Sequence, residues 1–476
     1  MTVTFTDRVQ FDVHVPVVVI GAGAAGLVAA LAVRAAGVAV LVLERDPLPR
    51  GSTALSAGLI PAAGTRWQHA SGIVDDPARF AADIMAKAHG EPDPALVDAL
   101  AQRAAPVLEW LADAHGLTFS LVQDFTYPGH SAQRMHGLPS RSGAALMDAL
   151  RQAAEQSGAD ILCDAHATEL VCDAAGDRVL GIEYVRPDGA TERVGCDALV
   201  LACSGYGGDR DLVAQHIPSL AGAPYFGHPS NTGHAIRWGQ AMGAQLRDLS
   251  GHQGHGSVAH PASILITWAT ITEGGFQVNA AGVRFANEMR GYSEQAADVL
   301  RQPGGVAWTV FDDRIAAIAR QFEDFRQAEA AGCIVCAPDM GALAAAIGVS
   351  PSVLAATAAD LETMKRGVGA DSLGRCFAGN PALRGPYCAV RVTGALFHTQ
   401  GGLAVDPGAA VLRKDGRAFA NLFAAGGAAC GISGREASGY LSGNGLLSAV
   451  VLGAVAGRSS TAAVLRSGPG PEVRVW

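Results

Sequence analysis

Runs of consecutive apolar residues mark the first strands of this chain. One run covers residues 17–20 and leads into a glycine-rich turn; a helical stretch follows over residues 27–36, and a second apolar run covers residues 38–43. Strands buried on both faces and joined by a crossover helix have this pattern. The sequence therefore predicts a parallel βαβ unit at its start.

Periodic segments continue this pattern for much of the chain. Helical spacing of apolar residues covers residues 77–89, 94–115 and 142–154, and strand-like runs cover residues 160–163, 166–173, 178–185, 191–194 and 197–205. Asp188-Gly189 predicts a hairpin turn. From residue 243 to about 390 the patterns are mixed, with helical segments over residues 314–331, 340–347 and 351–366. We predict one domain, residues 1–245 and 393–476, that is split by a second domain of residues 246–392.

The turn after the first strand carries glycines at the three positions that a dinucleotide requires. Gly21 permits a tight turn, Gly23 lets the backbone approach a pyrophosphate, and Gly26 lets the helix pack close to the strand. The helix N-terminus offers N–H groups and a partial positive charge to phosphates. Glu44 ends the second apolar run, where an acid can accept from a ribose hydroxyl. This combination favours a dinucleotide site over a glycine-rich core turn, and the acid argues against NADP.

A second glycine-rich segment lies near the other end of the chain. Residues 421–427 end in Gly426-Gly427, and Ser442-Gly443-Asn444-Gly445 opens an apolar helix. Two such segments so far apart suggest that the dinucleotide is FAD and that the two ends meet around it. Residues 50–58 are rich in small side chains and hydroxyls, which suits a stretch lying beside a planar ring. No histidine occurs in residues 52–56, so we expect noncovalent FAD.

Composition limits the class of protein. The chain has 476 residues, which predicts two domains, and a net charge of −9 without a basic run, which argues against nucleic-acid binding. The apolar stretch of residues 15–43 contains Arg34 and the glycine turn, and residues 446–456 are too few to span a bilayer. No signal-peptide pattern is visible. We therefore expect no membrane span and a cytoplasmic location, with residues 1–12 loosely held.

The nine cysteines have no regular spacing and do not indicate a disulfide framework. Cys333 and Cys336 form a lone C-x-x-C. Zinc, c-type haem and dithiol chemistry each use such a pair, but buried thiols are the favoured interpretation here because no second pair and no following histidine accompany it.

The chain resembles the fumarate reductase and succinate dehydrogenase flavoprotein superfamily, which includes the 3-ketosteroid dehydrogenases. The resemblance rests on both glycine-rich ends and on residues 197–205, 282–288 and 397–403, and it covers nearly the whole chain. It implies an α/β fold with a split Rossmann-type FAD-binding domain and an inserted α+β capping domain, with the substrate between them against the flavin. The helix that starts at Asn444 would stabilise negative charge on the reduced flavin.

The resemblance also implies a set of cofactor positions. The residues expected to bind FAD are Gly21, Gly23, Ala25, Gly26, Glu44, Arg45, Ser52, Thr53, Ser56, Ala57, Gly58, Ala167, Ala202, Gly205, Gly426, Gly427, Asn444, Gly445, Leu446 and Leu447.

Three positions depart from the fumarate reductase pattern. Tyr292 stands where those enzymes have an arginine acid, and Tyr440 stands where they have a carboxylate-binding arginine. Trp268 replaces the glutamate of a Thr-Glu pair in the capping domain. Without the arginines, a buried dicarboxylate would have unpaired charges, which is costly. The departures therefore disfavour a fumarate-like substrate.

The two tyrosines resemble the 3-ketosteroid dehydrogenase pattern instead. There, one tyrosine polarises the ketone oxygen and another removes the α-proton, while flavin N5 takes the β-hydrogen as hydride. Tyr440 fits the first role and Tyr292 the second, with a backbone N–H near Asn444 as a further donor. A base tyrosine needs activation by its neighbours, since its ordinary pKa is about 10. His398, Arg290 and the Tyr127 region are the candidates.

Other side chains have less specific signals. His398 is expected to be catalytic, and the expected substrate-binding residues are Arg435, His255, Trp268, Tyr127 and Asn444. Arg435 either holds a substrate carboxylate or faces solvent. His252, His255 and His260 have a spacing that does not by itself define a metal site, and no metal is expected. Arg134, His136 and Arg141 fit either a place near the substrate or a structural ion pair.

These observations predict an FAD-dependent dehydrogenase that introduces a C=C bond next to a ketone, in a ring such as 4-oxocyclohexanecarboxylate or a 3-ketosteroid. The short chain favours the smaller ring. Electrons would leave to oxygen, a quinone or a redox protein. A fumarate-type enoate reductase or dicarboxylate dehydrogenase is the alternative enzyme. A flavoprotein that serves as a redox-linked binding or electron-carrying module is the non-enzymatic alternative.

Overall fold

The computed structural model describes residues 2–123 and 126–467. They form two compact units. Unit 1 comprises residues 2–217, 227–252 and 398–467, and unit 2 comprises residues 218–226 and 253–397. The predicted domain boundaries at residues 245/246 and 392/393 stay predictions beside these limits.

The strands are, in chain order, β1 Thr2–Phe5, β2 Val13–Ile20, β3 Val40–Leu43, β4 Ile60–Pro61, β5 Ser120–Leu121, β6 Met135–Gly137, β7 Asp160–Leu162, β8 His166–Cys172, β9 Val179–Val185, β10 Thr191–Leu201, β11 Leu246–Arg247, β12 His252–Ala259, β13 Ile264–Leu265, β14 Phe276–Val278, β15 Val306–Asp312, β16 Ile334–Ala337, β17 Tyr387–Thr399, β18 Gly402–Leu403, β19 Ala410–Leu412 and β20 Ala418–Ala424.

The α-helices are α1 Ala24–Ala35, α2 Arg66–Ala70, α3 Pro77–Lys87, α4 Pro94–His115, α5 Gly143–Gln156, α6 Arg210–His216, α7 His234–Met242, α8 Ala269–Thr272, α9 Tyr292–Leu300, α10 Asp313–Ala319, α11 Glu323–Ala330, α12 Met340–Ala346, α13 Pro351–Lys365 and α14 Asn444–Ser467.

The main sheet of unit 1 is built around β10. Its strand order is β1-β8-β9-β10-β2-β3-β7, and β20, which carries β19, also pairs with β10. The first half of β10 pairs antiparallel with β9, and its last three residues pair parallel with β20. β2, β3 and β7 run parallel, as the apolar runs predict. The mixed α/β architecture predicted for this part is confirmed.

Glycines let helices α1 and α14 touch. A Cβ at Gly453 would lie 2.5 Å from the Ala25 carbonyl oxygen, and one at Gly457 would lie 2.3 Å from that of Ala29. Both helices carry mostly buried alanine, valine and leucine on the contacting faces. Helix α14 therefore packs directly on the helix that follows the first glycine turn.

Unit 2 is an α+β structure. Its six-stranded sheet has the order β13-β12-β17-β15-β14, with β16 also paired to β17. A buried ion cluster ties it together, since Arg284 and Arg375 both bind the carboxylate of Glu288, at 2.7 and 3.1 Å. These partners hold the pKa of Glu288 below its ordinary value although burial acts in the opposite direction.

Three elements differ from the sequence-based expectation. Residues 2–5 were expected to be loosely held but form β1, which pairs with β8 from Glu169 to Cys172. The helical segment 314–331 is two helices, because the acidic pair Glu323-Asp324 begins a second helix after a break at residues 320–322. Cys336 is not a buried thiol; it is exposed and forms a disulfide with Cys388, its cross-strand neighbour.

The last helix is also longer than the apolar stretch of residues 446–456 indicated. Within residues 2–123 and 126–467, one helix segment, Asn444–Arg466, has the length and composition of a membrane span, and 72% of its most apolar window is buried inside the protein. A core helix passes the same test, so this segment is weak evidence for a span.

Replacing Gly457 by alanine should reverse the usual effect of this change. Alanine normally favours a helix over glycine, but here the methyl group would meet the Ala29 carbonyl. We expect Gly457→Ala to lower the free energy of unfolding by about 1–3 kcal/mol, measured by urea unfolding. The control is Gly341→Ala in α12, where the only near atom is a side-chain oxygen at 3.3 Å; equal stability of the two variants would contradict the close packing.

Candidate active site

Three parallel strands deliver both glycine-rich segments to one edge of the sheet. The Ala202 N–H donates to the Ile20 carbonyl (2.8 Å), and the Ala425 N–H donates to the Leu201 carbonyl (3.0 Å). The strands β2, β10 and β20 therefore end side by side. In open α/β sheets, ligands bind at the carboxyl ends of the strands.

The first glycine turn has the geometry that its sequence predicts. Gly21 has φ +102°, and a Cβ there would lie 2.6 Å from the Ala202 carbonyl oxygen. A Cβ at Gly26 would lie 1.8 Å from the carbonyl oxygen of Gly21. At Gly23, by contrast, a Cβ would meet nothing within 4 Å, and α1 begins there without a side-chain cap. The space beside Gly23, at the start of α1, is thus open, and a phosphate can fill it.

Glu44 is held rigidly beside this turn. One carboxylate oxygen accepts from the Ala22 N–H at 2.7 Å, and the other accepts from the Asp46 N–H at 3.0 Å. Burial raises the pKa of this carboxyl, and the two N–H groups act in the opposite direction. Each oxygen keeps a free lone pair, so the side chain can also accept from ribose hydroxyls.

The small-residue segment after Glu44 is fixed by its hydroxyls. Ser52 accepts from the Asn231 amide (2.8 Å) and the His228 N–H (2.9 Å). The Thr53 hydroxyl accepts from the Ala24 N–H at 3.4 Å, so this segment contacts the start of α1. Ser56 stabilises the same turn by donating to the Thr53 carbonyl (2.7 Å). Ala57 and Gly58 continue the segment, and Gly58 donates to Ser56 at 3.1 Å.

The start of α14 carries buried polar atoms that lack a partner. Among the residues that the structure describes, the Asn444 Oδ1 and Ser448 Oγ atoms are buried without a hydrogen bond. Gly426, with φ +59°, brings the second glycine-rich segment against Ala25, since a Cβ there would lie 3.1 Å from the Ala25 methyl. Buried polar atoms without a partner, the open space beside Gly23 and the close backbone approach fit FAD held by the predicted residues.

The remaining predicted cofactor positions also lie in unit 1. Gly205 and Gly427 approach each other closely, because a Cβ at Gly427 would lie 2.9 Å from the Gly205 nitrogen. Ala167 lies on β8 next to His166, whose pKa is lowered by burial and also by the charge of Arg45. Gly445, Leu446 and Leu447 form the first turn of α14.

The side chains of Tyr440 and His398 pack against each other in unit 1. Their rings meet edge to face, with centroids 5.3 Å apart and planes at 74°. Tyr440 is buried, and burial raises the pKa of its phenol, while the Gly443 and Gly445 N–H groups lower it. Tyr127 is close enough to raise that pKa further, and burial raises its own pKa to about 12. Both phenols are therefore protonated and can donate at neutral pH.

His398 is a neutral imidazole. Burial lowers its pKa to about 4, with the Thr399 backbone acting in the opposite direction and His252 acting with burial. Its Nδ1 lies 2.8 Å from the Gln400 amide nitrogen. Gly445 lies against the other side of the ring, because a Cβ at Gly445 would be 2.9 Å from Nε2.

Unit 2 contains its own cluster of predicted substrate residues. His255 stacks on Tyr292 with centroids 4.9 Å apart, and it meets Trp268 edge-on at 5.7 Å. Burial lowers the pKa of His255 to about 3, so this ring is neutral as well. Its Nδ1 accepts from the Ser257 N–H at 3.2 Å, which leaves the proton on Nε2. The Trp268 indole N–H is buried and has no partner among the described residues.

Arg435 is not buried with either group. Its side chain is 73% exposed and pairs with Asp248 at 3.3 Å, at the edge of a cavity of about 480 Å³.

Arg134 is buried and binds Asp75 at 2.9 Å. Within the described part of the chain, no three His, Cys, Asp or Glu side chains form a group that could hold a metal.

Three residues of the site lay outside the predicted set. Gln400 orients His398, Ser433 joins Gln400 to Asn444, and Asn231 binds Ser52. Gln400 follows His398 by two residues in a segment that the resemblance includes, so it could have been found. Ser433 and Asn231 gave no signal, because Ser433 lies 33 residues from Gln400 and Asn231 lies 179 residues from Ser52.

Comparisons with known proteins agree with this geometry. Residues 16–446 match the FAD binding domain family. The chain is 29% identical to a probable fumarate reductase, Ifc3, of Shewanella frigidimarina, over 93% of this chain and 74% of that protein. It is 25% identical to a 4-oxocyclohexanecarboxylate 2-dehydrogenase of Sinomonas cyclohexanicum, over 95% of this chain and 93% of that protein.

Solved structures have the same fold. A flavocytochrome c3 fumarate reductase in an open conformation superimposes with a TM-score of 0.81 at 28% identity, covering 96% of this chain and 79% of that chain. A 3-ketosteroid-Δ4-(5α)-dehydrogenase from Rhodococcus jostii RHA1 superimposes with a TM-score of 0.76 at 24% identity, covering 96% and 99%. The predicted fold, with its FAD-binding and capping parts, is thereby confirmed.

The match over residues 16–446, together with the glycine turn, the acid at Glu44 and the last helix, shows that the chain belongs to the FAD binding domain family, as an FAD-dependent oxidoreductase of the fumarate reductase and succinate dehydrogenase flavoprotein superfamily.

Proposed function

We propose that this protein is a dehydrogenase that introduces a C=C bond α,β to a ketone in a ring. The observation that carries the proposal is the neutrality of the groups around Tyr440. Burial raises the pKa of Tyr440 most; the groups that also shift it are two backbone N–H groups and Tyr127, and the ring beside it, His398, is uncharged. A site of neutral donors suits a ketone oxygen better than a carboxylate, because a buried charge without a counter-charge is costly.

The cluster in unit 2 supports the same conclusion. His255, Trp268 and Tyr292 offer aromatic faces and N–H donors, and the two groups that carry those donors are uncharged at neutral pH. Aromatic faces bind apolar rings, and each N–H can donate to a neutral oxygen. A dicarboxylate would find no formal positive charge on these three side chains.

The proposed roles follow from the chemistry of α-proton removal. The Tyr440 hydroxyl donates to the ketone oxygen and stabilises the negative charge that develops there as the α-proton leaves. Tyr292 takes that proton as the base. The Gly443 and Gly445 N–H groups donate to the Tyr440 oxygen, and a phenol that accepts a hydrogen bond can also donate one. Bound FAD supplies the acceptor for the hydride from the β-carbon.

The names of some relatives support this proposal, and the names of others support the alternative. The 4-oxocyclohexanecarboxylate 2-dehydrogenase carries a cyclic ketone substrate in its name, and the 3-ketosteroid dehydrogenase carries another. The fumarate reductase relatives favour the reverse reaction on an unsaturated acid. In the proposal, the electron acceptor is oxygen, a quinone or a redox protein, and the location is the cytoplasm; neither affects reduction of the flavin by substrate.

The decisive experiment is anaerobic mixing of the oxidised holoenzyme with a substrate panel while the flavin absorbance is recorded. We expect bleaching by 4-oxocyclohexanecarboxylate or by a 3-ketosteroid, and none by succinate, because the donors around Tyr440 are neutral. Cyclohexanecarboxylate, which lacks the ketone, is the control. Bleaching by succinate alone, or reoxidation of reduced flavin by fumarate without any response to ketones, would favour the enoate reductase instead.

Tyr440→Phe should keep FAD but slow flavin reduction by ~10²–10³-fold, as expected for loss of a donor to a developing oxyanion. The matched control is Tyr184→Phe, which removes a hydroxyl that donates to Glu192 at 2.6 Å on the β9–β10 hairpin. We expect the control to reduce at the wild-type rate in stopped-flow measurements. A normal rate for Tyr440→Phe would assign this tyrosine to packing.

Tyr292→Phe should slow reduction by ~10²–10⁴-fold if its phenol is the base. Substrate deuterated at the α-carbon tests the role directly, because proton removal should become more rate-limiting and the isotope effect on reduction should rise. Phe397→Leu, which alters another ring packed on His255, is the control for disturbance of the cluster. An unchanged rate and isotope effect in Tyr292→Phe would remove it from the chemistry.

A further inference from the structure

Four side chains of unit 1 form one continuous chain of hydrogen bonds. Asn444 Nδ2 donates to Ser433 Oγ (3.1 Å), Ser433 Oγ donates to Gln400 Oε1 (2.9 Å), and Gln400 Nε2 donates to His398 Nδ1 (2.8 Å). Asn444, Ser433 and Gln400 are 0%, 1% and 6% exposed. The chain therefore runs through protein interior from the first residue of α14 to the imidazole.

Each link fixes the direction of the next. An amide nitrogen only donates and an amide oxygen only accepts, whereas a hydroxyl does both. With its oxygen turned to Ser433, the Gln400 amide presents its nitrogen to His398. The His398 Nδ1 must then carry a lone pair, so a neutral imidazole has its proton on Nε2. The opposite tautomer would point an N–H at the N–H of Gln400.

The Nε2 atom lies where its proton could be donated to a substrate oxygen. The ring edge that carries Nε2 lies against Gly445, in the first turn of α14, and the ring meets Tyr440 edge to face. The N-terminus of a helix and a phenol donor already favour negative charge at this place. A third donor there would add to the stabilisation of a developing oxyanion.

We propose that Asn444, Ser433 and Gln400 are positioning residues that hold His398 as an Nε2–H donor, so that His398 hydrogen-bonds substrate oxygen and does not act as the base. This inference rests on the proposed function for the identity of the substrate. The tautomer itself does not, because it follows from contacts within the protein, namely the Gln400 amide at Nδ1 and the Thr399 backbone beside the ring. The two parts can therefore be tested separately.

The test uses holoenzyme labelled with ¹⁵N-histidine, in which long-range ¹H–¹⁵N correlation spectra distinguish the two ring nitrogens. His398 is assigned as the signal that is missing from His398→Gln. At neutral pH we expect wild-type His398 to show a protonated Nε2 and an unprotonated Nδ1. Gln400→Glu, nearly identical in shape, places an acceptor opposite Nδ1, and we expect the proton to move to Nδ1 and to leave Nε2 unprotonated.

Ser433→Ala is the second variant, since it removes the hydroxyl that orients the amide without adding charge. We expect loss of the single tautomer, seen as shifted or averaged nitrogen signals. Gln240→Glu adds the same charge at an exposed position of α7 and should leave the His398 signals unchanged. A protonated Nδ1 in the wild type, or an unchanged tautomer in both Gln400→Glu and Ser433→Ala, would overturn the proposal.

Flavin reduction separates this inference from the proposed function. With a ketone that bleaches the wild type, we expect Gln400→Glu to be slower by ~10²-fold, the usual effect of losing one oxyanion donor. Gln240→Glu should match the wild type. If the tautomer changes but the rate does not, His398 does not contact the reacting oxygen, and the proposed hydrogen bond from His398 to the substrate is wrong. If no ketone bleaches the wild type, the substrate proposal fails while the tautomer result still decides the positioning role.

Discussion

The parallel pairing of β10 with both β2 and β20 is the constraint on which the rest of unit 1 depends. Residues 199–201 pair on one side with residues 18–20 and on the other with residues 422–424. Backbone hydrogen bonds thus bring together two glycine-rich segments that are about four hundred residues apart in sequence. Without this pairing, α14 would not reach α1, and Gly426 would not lie against Ala25.

The polar side chains His398 and Tyr440, which this pairing brings to the start of α14, are uncharged. His398 and Tyr440 near the start of α14 are neutral, as is His255 in unit 2, because burial shifts each pKa away from the charged form. Elsewhere, buried charged side chains form salt bridges, such as Arg134 with Asp75 and Arg284 with Glu288. The same fold serves relatives named as fumarate reductases and as ketone dehydrogenases, so the side chains at a few positions, more than the fold, decide the ligand.

The sequence predicted those parts of the molecule that local physics determines. The glycine turn, Glu44 and the helices over residues 77–89 and 94–115 depend on spacing within a short window, and the structure contains each of them. The hydrogen-bonded chain from Asn444 to His398 depends on Ser433 meeting two residues that lie far from one another in sequence. The disulfide of Cys336 likewise depends on β16 lying beside β17, and no cysteine spacing indicates that register.

The position of β20 in the chain also has a consequence for biosynthesis. Because β20 and α14 follow the whole of unit 2, the ribosome must add roughly 400 residues after Glu44 before the FAD-binding part can close. At ~5–20 residues per second, this takes about 20–80 s. β10 ends at Leu201, so for roughly the second half of that interval its last residues have no β20 to pair with, and an unpaired strand edge is a template for association with other chains. Nascent unit 1 is therefore exposed to such association until β20 has been made.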